Sequence, residues 1–377
     1  MVYFDNNATT RLDPRVLEAM LPYLSGPYGN ASSLHRFGRA ARDAIEHARE
    51  QVAALVNCQP KEVIWTSGGT ESNNLALKGV TEGAPQARLL YGATEHPAVL
   101  ETAEALRTRG LPVETVAMQA DGRIDWPAFE RQLAAGPVRL VSLMRANNET
   151  GVIHDIVRAA GLVHAAGAWL HVDAVQAAGK MAVDFAALHA DLMSLSSHKL
   201  YGPKGIGALL LRAEVELVPL HHGGWQERGL RGGTENVAAI VGFGGAAELA
   251  QQELEARIAH LRGLRDRLEA GLRGLAGVRI FGDGVERLPN TVQFALPGYE
   301  GEALLMQLDR KGFAVSSGSA CASGRGEPSH VLLGMGIEHE IAKGAIRVSF
   351  GQDNTPAEVD QFLAALARFA PASPVES

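Results

Sequence analysis

The strongest constraint on the fold of this chain is an alternation. Seven short apolar runs, "EVIWTSGG", "ARLLYGAT", "LPVETVAM", "VRLVSLM", "AWLHVDAV", "DLMSLSSHK" and "IGALLLR", have the length and β-branched content of strands. Amphipathic stretches such as "AARDAIEHAREQVAALV" and "IVRAAGLVHAAG" stand between several of them. Strands joined by helices pair in parallel, and a parallel sheet needs helices on both faces. The expected class is α/β. A chain of 377 residues is too long for one simple core, so two domains are expected.

From about Asn236 to Leu275 the pattern becomes a long helical stretch, and the glycines among residues 242–245 are expected to bend or break it. This stretch bridges to a second, smaller α+β part. There "NTVQFALPG" and "AIRVSFG" are strand-like, and "GEALLMQLDRKG" and "TPAEVDQFLAALARFA" helix-like. A net charge of −7 and a pI near 6.0 argue against a nucleic-acid groove or an anionic membrane as the main partner. The start of the chain has no basic segment followed by an apolar one, and no apolar run reaches the length of a membrane helix. Two cysteines exclude a disulfide framework and agree with a reducing compartment, so the expectation is a cytoplasmic protein.

Polar residues gather where the strands end, and in parallel sheets ligands bind at the carboxyl ends of strands. In "SLSSHKLYGPKGIG" a strand ends in His198-Lys199. Partial desolvation there would lower the pKa of a lysine and make its amine nucleophilic, with Lys204 as competitor. In "WLHVDAVQAAG", Asp173 follows apolar positions and needs a cationic partner, unless it caps a helix; Gln176 lies three residues on. In "TSGGTESNNLAL" a strand runs through Gly69 and Thr70 into a helix, which makes an anion site suited to phosphate, although such residues also cap helices without a ligand. His96 in "GATEHPAVL" is either structural or suited to stacking on a flat ring and moving protons. Asn147-Asn148-Glu149 follow another strand end and form either a turn or an oxygen-binding group. Lastly, "AVSSGSACASG" at 314–324 sets Cys321 among glycine, alanine and serine, which points to an exposed and mobile thiol. A lysine nucleophile, a buried acid, a phosphate cradle and a stacking imidazole are together what pyridoxal phosphate requires.

Over nearly its whole length the chain resembles the cysteine desulfurases, a group within the class V aminotransferases of the fold-type-I pyridoxal phosphate enzymes. The motifs "YFDNNATT", "TSGGTESNN", "TEHPAVL", "NNETG", "HVDAVQ", "SSHKLYGPKGIG", "ERGLRGGTEN", "SSGSACASG" and "IRVSFG" carry the resemblance, in order. It implies a large domain over 15–250 with a mostly parallel seven-stranded sheet. A smaller α+β domain over 1–14 and 251–377 would carry the cysteine loop. It implies that Lys199 holds pyridoxal 5′-phosphate as a Schiff base and acts as catalytic base, and that Asp173 pairs with the pyridine nitrogen. His96 would stack on the ring and handle thiol protons, and Asn148 and Gln176 would contact the phenolic oxygen. Gly69, Thr70, Ser196 and His198 would hold the phosphate, with Thr234 supplied by the partner subunit of a homodimer. Arg347, with Asn148, would bind the carboxylate of L-cysteine. Cys321 would take the sulfur as a persulfide, releasing alanine, and pass it to a transient acceptor or scaffold protein.

Two departures from the usual motifs stand out. "HHGGWQERG" places Trp225 in a normally glycine-rich turn, where it is expected near the site entrance or at a dimer interface, and Gly232 replaces a common serine or alanine in "RGGT". Cys58 reads as structural and Lys204 as a turn residue. Two other readings compete: a selenocysteine lyase or C–S β-lyase that needs Cys321 less, and a non-catalytic scaffold subunit.

Overall fold

A computed structural model describes residues 1–317 and 327–369. Cys321, and the mobility expected for its loop, lie outside the described residues.

Thirteen strands are described. After β1 (Val2–Tyr3) come the seven expected ones: β2 (Val63–Thr66), β3 (Arg88–Gly92), β4 (Val113–Val116), β5 (Val138–Met144), β6 (Trp169–Asp173), β7 (Leu192–Ser196) and β8 (Gly207–Leu211). They form one sheet in the order β2-β8-β7-β6-β5-β3-β4. Only β8 runs against its neighbours, so the sheet is mostly parallel, as the alternation predicts. Successive side chains go to opposite faces. Val63, Trp65, Met193, Leu195, Ala208 and Leu210 join one core, while Ile64, Leu192, Leu209 and Leu211 join another. Helices α1 (Pro14–Ser25) and α2 (Arg36–Leu55) feed the first core. The second is covered by α3 (Gly69–Thr81) and α4 (Pro97–Thr108), and α5 (Trp126–Ala134) and α6 (Ile156–Ala165) return to the first.

The long helical stretch corrects one expectation. Helix α7 (Val237–Gln252) runs unbroken through Gly242, Gly244 and Gly245, and the chain turns at Glu253 before α8 (Leu254–Arg273). Packing explains why glycine is there. A Cβ on Gly242 would sit 2.6 Å from Met20 Sδ, and one on Gly244 would sit 2.7 Å from Ala48 Cα. Close approach of α1 and α2 outweighs the poor helix propensity of glycine.

A second sheet, all antiparallel, has the order β12-β13-β10-β9. It comprises β9 (Arg279–Ile280), β10 (Thr291–Ala295), β12 (Ser316–Ser317) and β13 (Ala345–Ser349); β11 (Phe313–Ala314) pairs instead with β1. Its core unites Phe4 with α8, α9 (Gly301–Arg310) and α12 (Pro356–Leu366), while α10 (His330–Gly334) and α11 (His339–Lys343) pack into a small cluster beside it. The stretch read from sequence as soft throughout 314–324 therefore begins inside a sheet. Ser316 pairs with Arg347 and Ser317 with Ile346, and Val315 is buried.

Candidate active site

The carboxyl ends of β2, β3, β5, β6 and β7 open onto one cavity of about 260 Å³. Its wall brings together Gly69, Thr70, His96, Asn148, Asp173, Gln176, Ser196, His198 and Lys199, nine candidates drawn from five separate segments. Arg347 and Thr234 are not in that wall. Thr234 is exposed and lines a neighbouring cleft with Ser67 and Arg231. Trp225 is also absent from the wall and is 89% exposed; its ring lies over Gly229 beside an outer groove.

Asp173 ends β6 and is buried. One oxygen accepts from Asn73 Nδ2 at 2.7 Å and the other from the Val175 N–H at 3.0 Å. No cation pairs with it among the described residues, although a buried carboxylate facing a cavity calls for one. Lys199 ends the 3₁₀ turn that follows β7, and its amine donates to the carbonyls of Asn7 and Ala8, the latter at 2.8 Å.

His96 is the N-cap of α4, since its Nδ1 accepts from the Ala98 N–H at 3.0 Å. The structural and functional readings of this residue therefore hold together. The cap fixes the tautomer and leaves Nε2 as the nitrogen that carries a proton. Burial lowers its pKa, Asp173 counteracts this, and Lys199, His330 and Arg347 lower it further, so the ring is neutral at neutral pH. His198 contacts the Thr9 hydroxyl through Nδ1 at 3.0 Å. Burial and then the charges of Lys199, Lys204 and Lys180 bring its pKa down to about 4.

Beside the cavity, Ser67, Gly68, Gly69, Thr70, Ser196, His198 and Lys204 line a connected recess at the start of α3. The first N–H groups of a helix have no partner within it, so this end attracts anions. Glu71, an acid in that first turn, is occupied elsewhere: it accepts from Arg231 Nε at 2.9 Å and from the Ser67 N–H at 2.7 Å. Burial pushes its pKa up, but those donors outweigh burial and hold it below the usual carboxylate value.

Arg347, on β13, is buried and paired with Asp5 at 2.7 Å; it also donates to the Asn148 carbonyl at 3.1 Å. Its Nε has no partner among the described residues, and neither does the buried Oδ1 of Asn148. The thiol of Cys58 is raised to about 12, by burial first and then by Glu62, which leaves it a thiol packed against the first core.

These residues fit pyridoxal phosphate. A buried acid without a cation suits a pyridinium nitrogen, an orphaned amide oxygen awaits a polar ligand, and the start of α3 with two hydroxyls and a neutral imidazole suits a phosphate. Residues that the sequence reading missed include Asn7, Asn73, Lys180 and Glu95. Asn73 was visible only as the second-last letter of "TSGGTESNN". Glu95 is fully buried; burial and then the charge of Asp173 push its carboxyl well above the usual range.

Comparison with known proteins gives the family. The family model for class-V aminotransferases matches residues 2–362. A cysteine desulfurase of Gluconacetobacter diazotrophicus is 47% identical over 366 residues, which is 96% of this chain and 91% of that protein. A cysteine desulfurase IscS of an Anaeromyxobacter species is also 47% identical, over 95% of this chain and 90% of its own. Among solved structures, a NifS-like protein superposes with a TM-score of 0.91 at 40% identity, covering 98% of both chains. SspA, solved in complex with cysteine, gives 0.82 at 32% identity over 93% of this chain and 99% of its own. The chain belongs to the class-V aminotransferase family, within its cysteine desulfurase group.

Proposed function

We propose that this protein uses pyridoxal 5′-phosphate to convert L-cysteine to L-alanine and retains the sulfur on Cys321. The observation that carries the reading is Asp173, a buried carboxylate with amide donors but no cation among the described residues, facing a cavity that also holds Lys199. Bound there, pyridoxal phosphate would supply an electron sink for negative charge at the substrate Cα.

The chain's own groups divide the remaining work. Lys199 Nζ is positioned to bind the cofactor and to take the Cα proton. Asp173 keeps the pyridine nitrogen protonated, with Asn73 and the Val175 N–H holding its oxygens in place. Gly69, Thr70, Ser196 and neutral His198 take the phosphate, and Thr234 of the partner subunit completes that cradle. Asn148 and Gln176 contact the phenolic oxygen, and His96 covers the ring and moves thiol protons at Nε2. Arg347, paired with Asp5 and bonded to the Asn148 carbonyl, would bind the substrate carboxylate. Cys321, as thiolate, attacks the substrate sulfur: an S–S bond forms, the Cβ–S bond breaks, and the three-carbon product leaves as alanine after protonation.

The division into domains over 15–250 and over 1–14 with 251–377 belongs to the same reading, supported by the second core that draws in Phe4. So does a homodimer: Leu24, Tyr28, Leu34 and Trp225 are all exposed by more than 60%, as a covered surface would require. A transient sulfur acceptor follows from the persulfide, and the absence of any helix long and apolar enough to cross a membrane, among the described residues, is compatible with a cytoplasmic site of action.

The test is to add L-cysteine to the protein loaded with pyridoxal phosphate, measure alanine, and locate the added mass of sulfur by mass spectrometry. Modification of Cys321 and its loss in Cys321→Ser are expected. Sulfide release at an unchanged rate in Cys321→Ser, or sulfur on Cys58, would overturn the persulfide assignment.

A further inference from the structure

Among the buried titratable residues that the mechanism leaves without a role is Lys180. It follows the turn after β6 and is 5% exposed. Its amine donates to Gln176 Oε1 at 2.5 Å and to Asn7 Oδ1 at 3.1 Å. Neither acceptor is a carboxylate, and the charged groups that face it, Lys199 and Arg347, are cations. Burial and then those two cations push its pKa well down. These two acceptors each take one of its N–H groups.

Both acceptors belong to the cavity's framework. An amide side chain can present its oxygen or its nitrogen, and only its hydrogen-bond partners decide which. Lys180 donates to Gln176 Oε1, and the Asn7 carbonyl, which can only accept, takes an N–H from Nε2, so the two contacts together set which way the amide faces. Nε2 donates to that carbonyl at 2.9 Å, and its second N–H remains for the cavity that Gln176 lines. The same Asn7 carbonyl accepts from Lys199. The Asn7 side chain is held in turn by Asn290 at 3.0 Å and Thr291 at 2.8 Å, and its Nδ2 reaches the Asn148 carbonyl at 3.0 Å.

We propose that Lys180 is a positioning residue for the cofactor site: it locks the Gln176 amide with its N–H toward the cavity and, through Asn7, sets where the Lys199 amine rests. Without Lys180 the amide keeps only the Asn7 carbonyl as partner and is held less firmly, so its N–H is no longer fixed toward the cavity. The inference rests on the pyridoxal phosphate reading above.

The test uses the full chain loaded with pyridoxal phosphate and follows the long-wavelength absorption band of the lysine-bound cofactor against pH. An N–H donated to a phenolate drains charge from it; without that donor the oxygen holds the neighbouring proton more tightly, and the band's midpoint moves to higher pH. Lys180→Met should raise the midpoint by about half a unit to one unit, the effect of one hydrogen bond. Gln176→Leu should shift it equally, and the double variant no further, because the two act as one unit. A purely structural role for Lys180 would lower the melting temperature and leave the midpoint in place. Should Lys180→Met not fold, Lys180→Gln serves instead: its shorter side chain does not carry a donor to the place of the amine on Gln176 Oε1, so the same upward shift is expected. A midpoint within about 0.2 unit of the parent in the folded variants, or additive shifts, would overturn the proposal. If the parent protein itself develops no band with pyridoxal phosphate, the cofactor reading falls and this inference with it. A parent band with unshifted variants overturns the role of Lys180 alone.

Discussion

Glu227 offers a perturbation whose size can be worked out from the structure. It is held in the left-handed region (φ 46°, ψ 42°), as is Arg228 (φ 59°, ψ 28°), before Gly229 at φ 80°. Two non-glycine residues in that region cost about 2–4 kcal/mol together. Three contacts offset this. Arg49 binds both carboxylate oxygens at 2.9 Å, and the Trp65 N–H donates to one of them at 2.9 Å. The side chains are 7% and 4% exposed, so this is a buried, bidentate pair. Replacing Glu227 with glutamine turns one oxygen into a donor that must face Arg49 or the Trp65 N–H. Breaking a buried pair from one side costs about 3–5 kcal/mol. Arg49 keeps Val63 O at 2.7 Å and the exposed Glu46, so the lower end, about 3 kcal/mol, is expected for Glu227→Gln. The same loop carries Arg231, tied to Glu71 at the start of α3, so its release should also open the chain at Arg228 and Arg231. Urea unfolding of the full chain, read by tryptophan fluorescence, measures the first effect, and limited trypsin digestion the second. Arg49→Met with Glu227→Leu should be less damaging than the two single losses summed, because no charge is left buried. A Glu227→Gln protein within about 0.5 kcal/mol of the parent, and equally resistant to trypsin, would refute the reasoning.

Three further outcomes are expected. Gly245→Ala should stabilise by about 0.5–1 kcal/mol, since nothing lies within 4 Å of its added Cβ, whereas Gly244→Ala should destabilise by overlap with Ala48; thermal melts separate the two. Stability should fall as pH drops from 6.5 toward 4: His154, His171 and His198 have folded pKa values of about 4, so the unfolded chain binds their protons first. His154 is buried with neither ring nitrogen paired among the described residues, so His154→Leu should flatten this acid limb in melts taken across that window. Asn73→Ala removes a charge-assisted donor from Asp173 and should weaken pyridoxal phosphate binding about tenfold or more, measured by titration of the apoprotein.

What the sequence disclosed follows the range of the forces involved. The seven strands were legible because period and β-branching act within a few residues, and no distant contact reverses them. The unbroken α7 was not, because the propensity of Gly242 and Gly244 is local while the helices pressing on them, around Met20 and Ala48, are about 200 residues away. Ser316 and Ser317 looked like loop for the same reason: their place in a sheet is set by the register with Arg347 and Ile346, and two serines carry no trace of it.

The site divides along the same line. Lysine, aspartate and histidine at strand ends announce themselves, because each is costly to bury and the chain must have a reason for it. The amides that orient them do not. Asn7 bonds to Gln176, Lys180 and Lys199 across 169 to 192 residues of sequence and to Asn290 across 283, and an asparagine in "YFDNNATT" is equally at home in a turn. Lys180 is hidden differently. Read alone it is a surface lysine after a glycine, and only the burial of its amine against two amide oxygens turns it into a positioning group. Residues that do the chemistry are thus recognisable by type, whereas those that hold them are recognisable only by partner, and the partner is what folding adds.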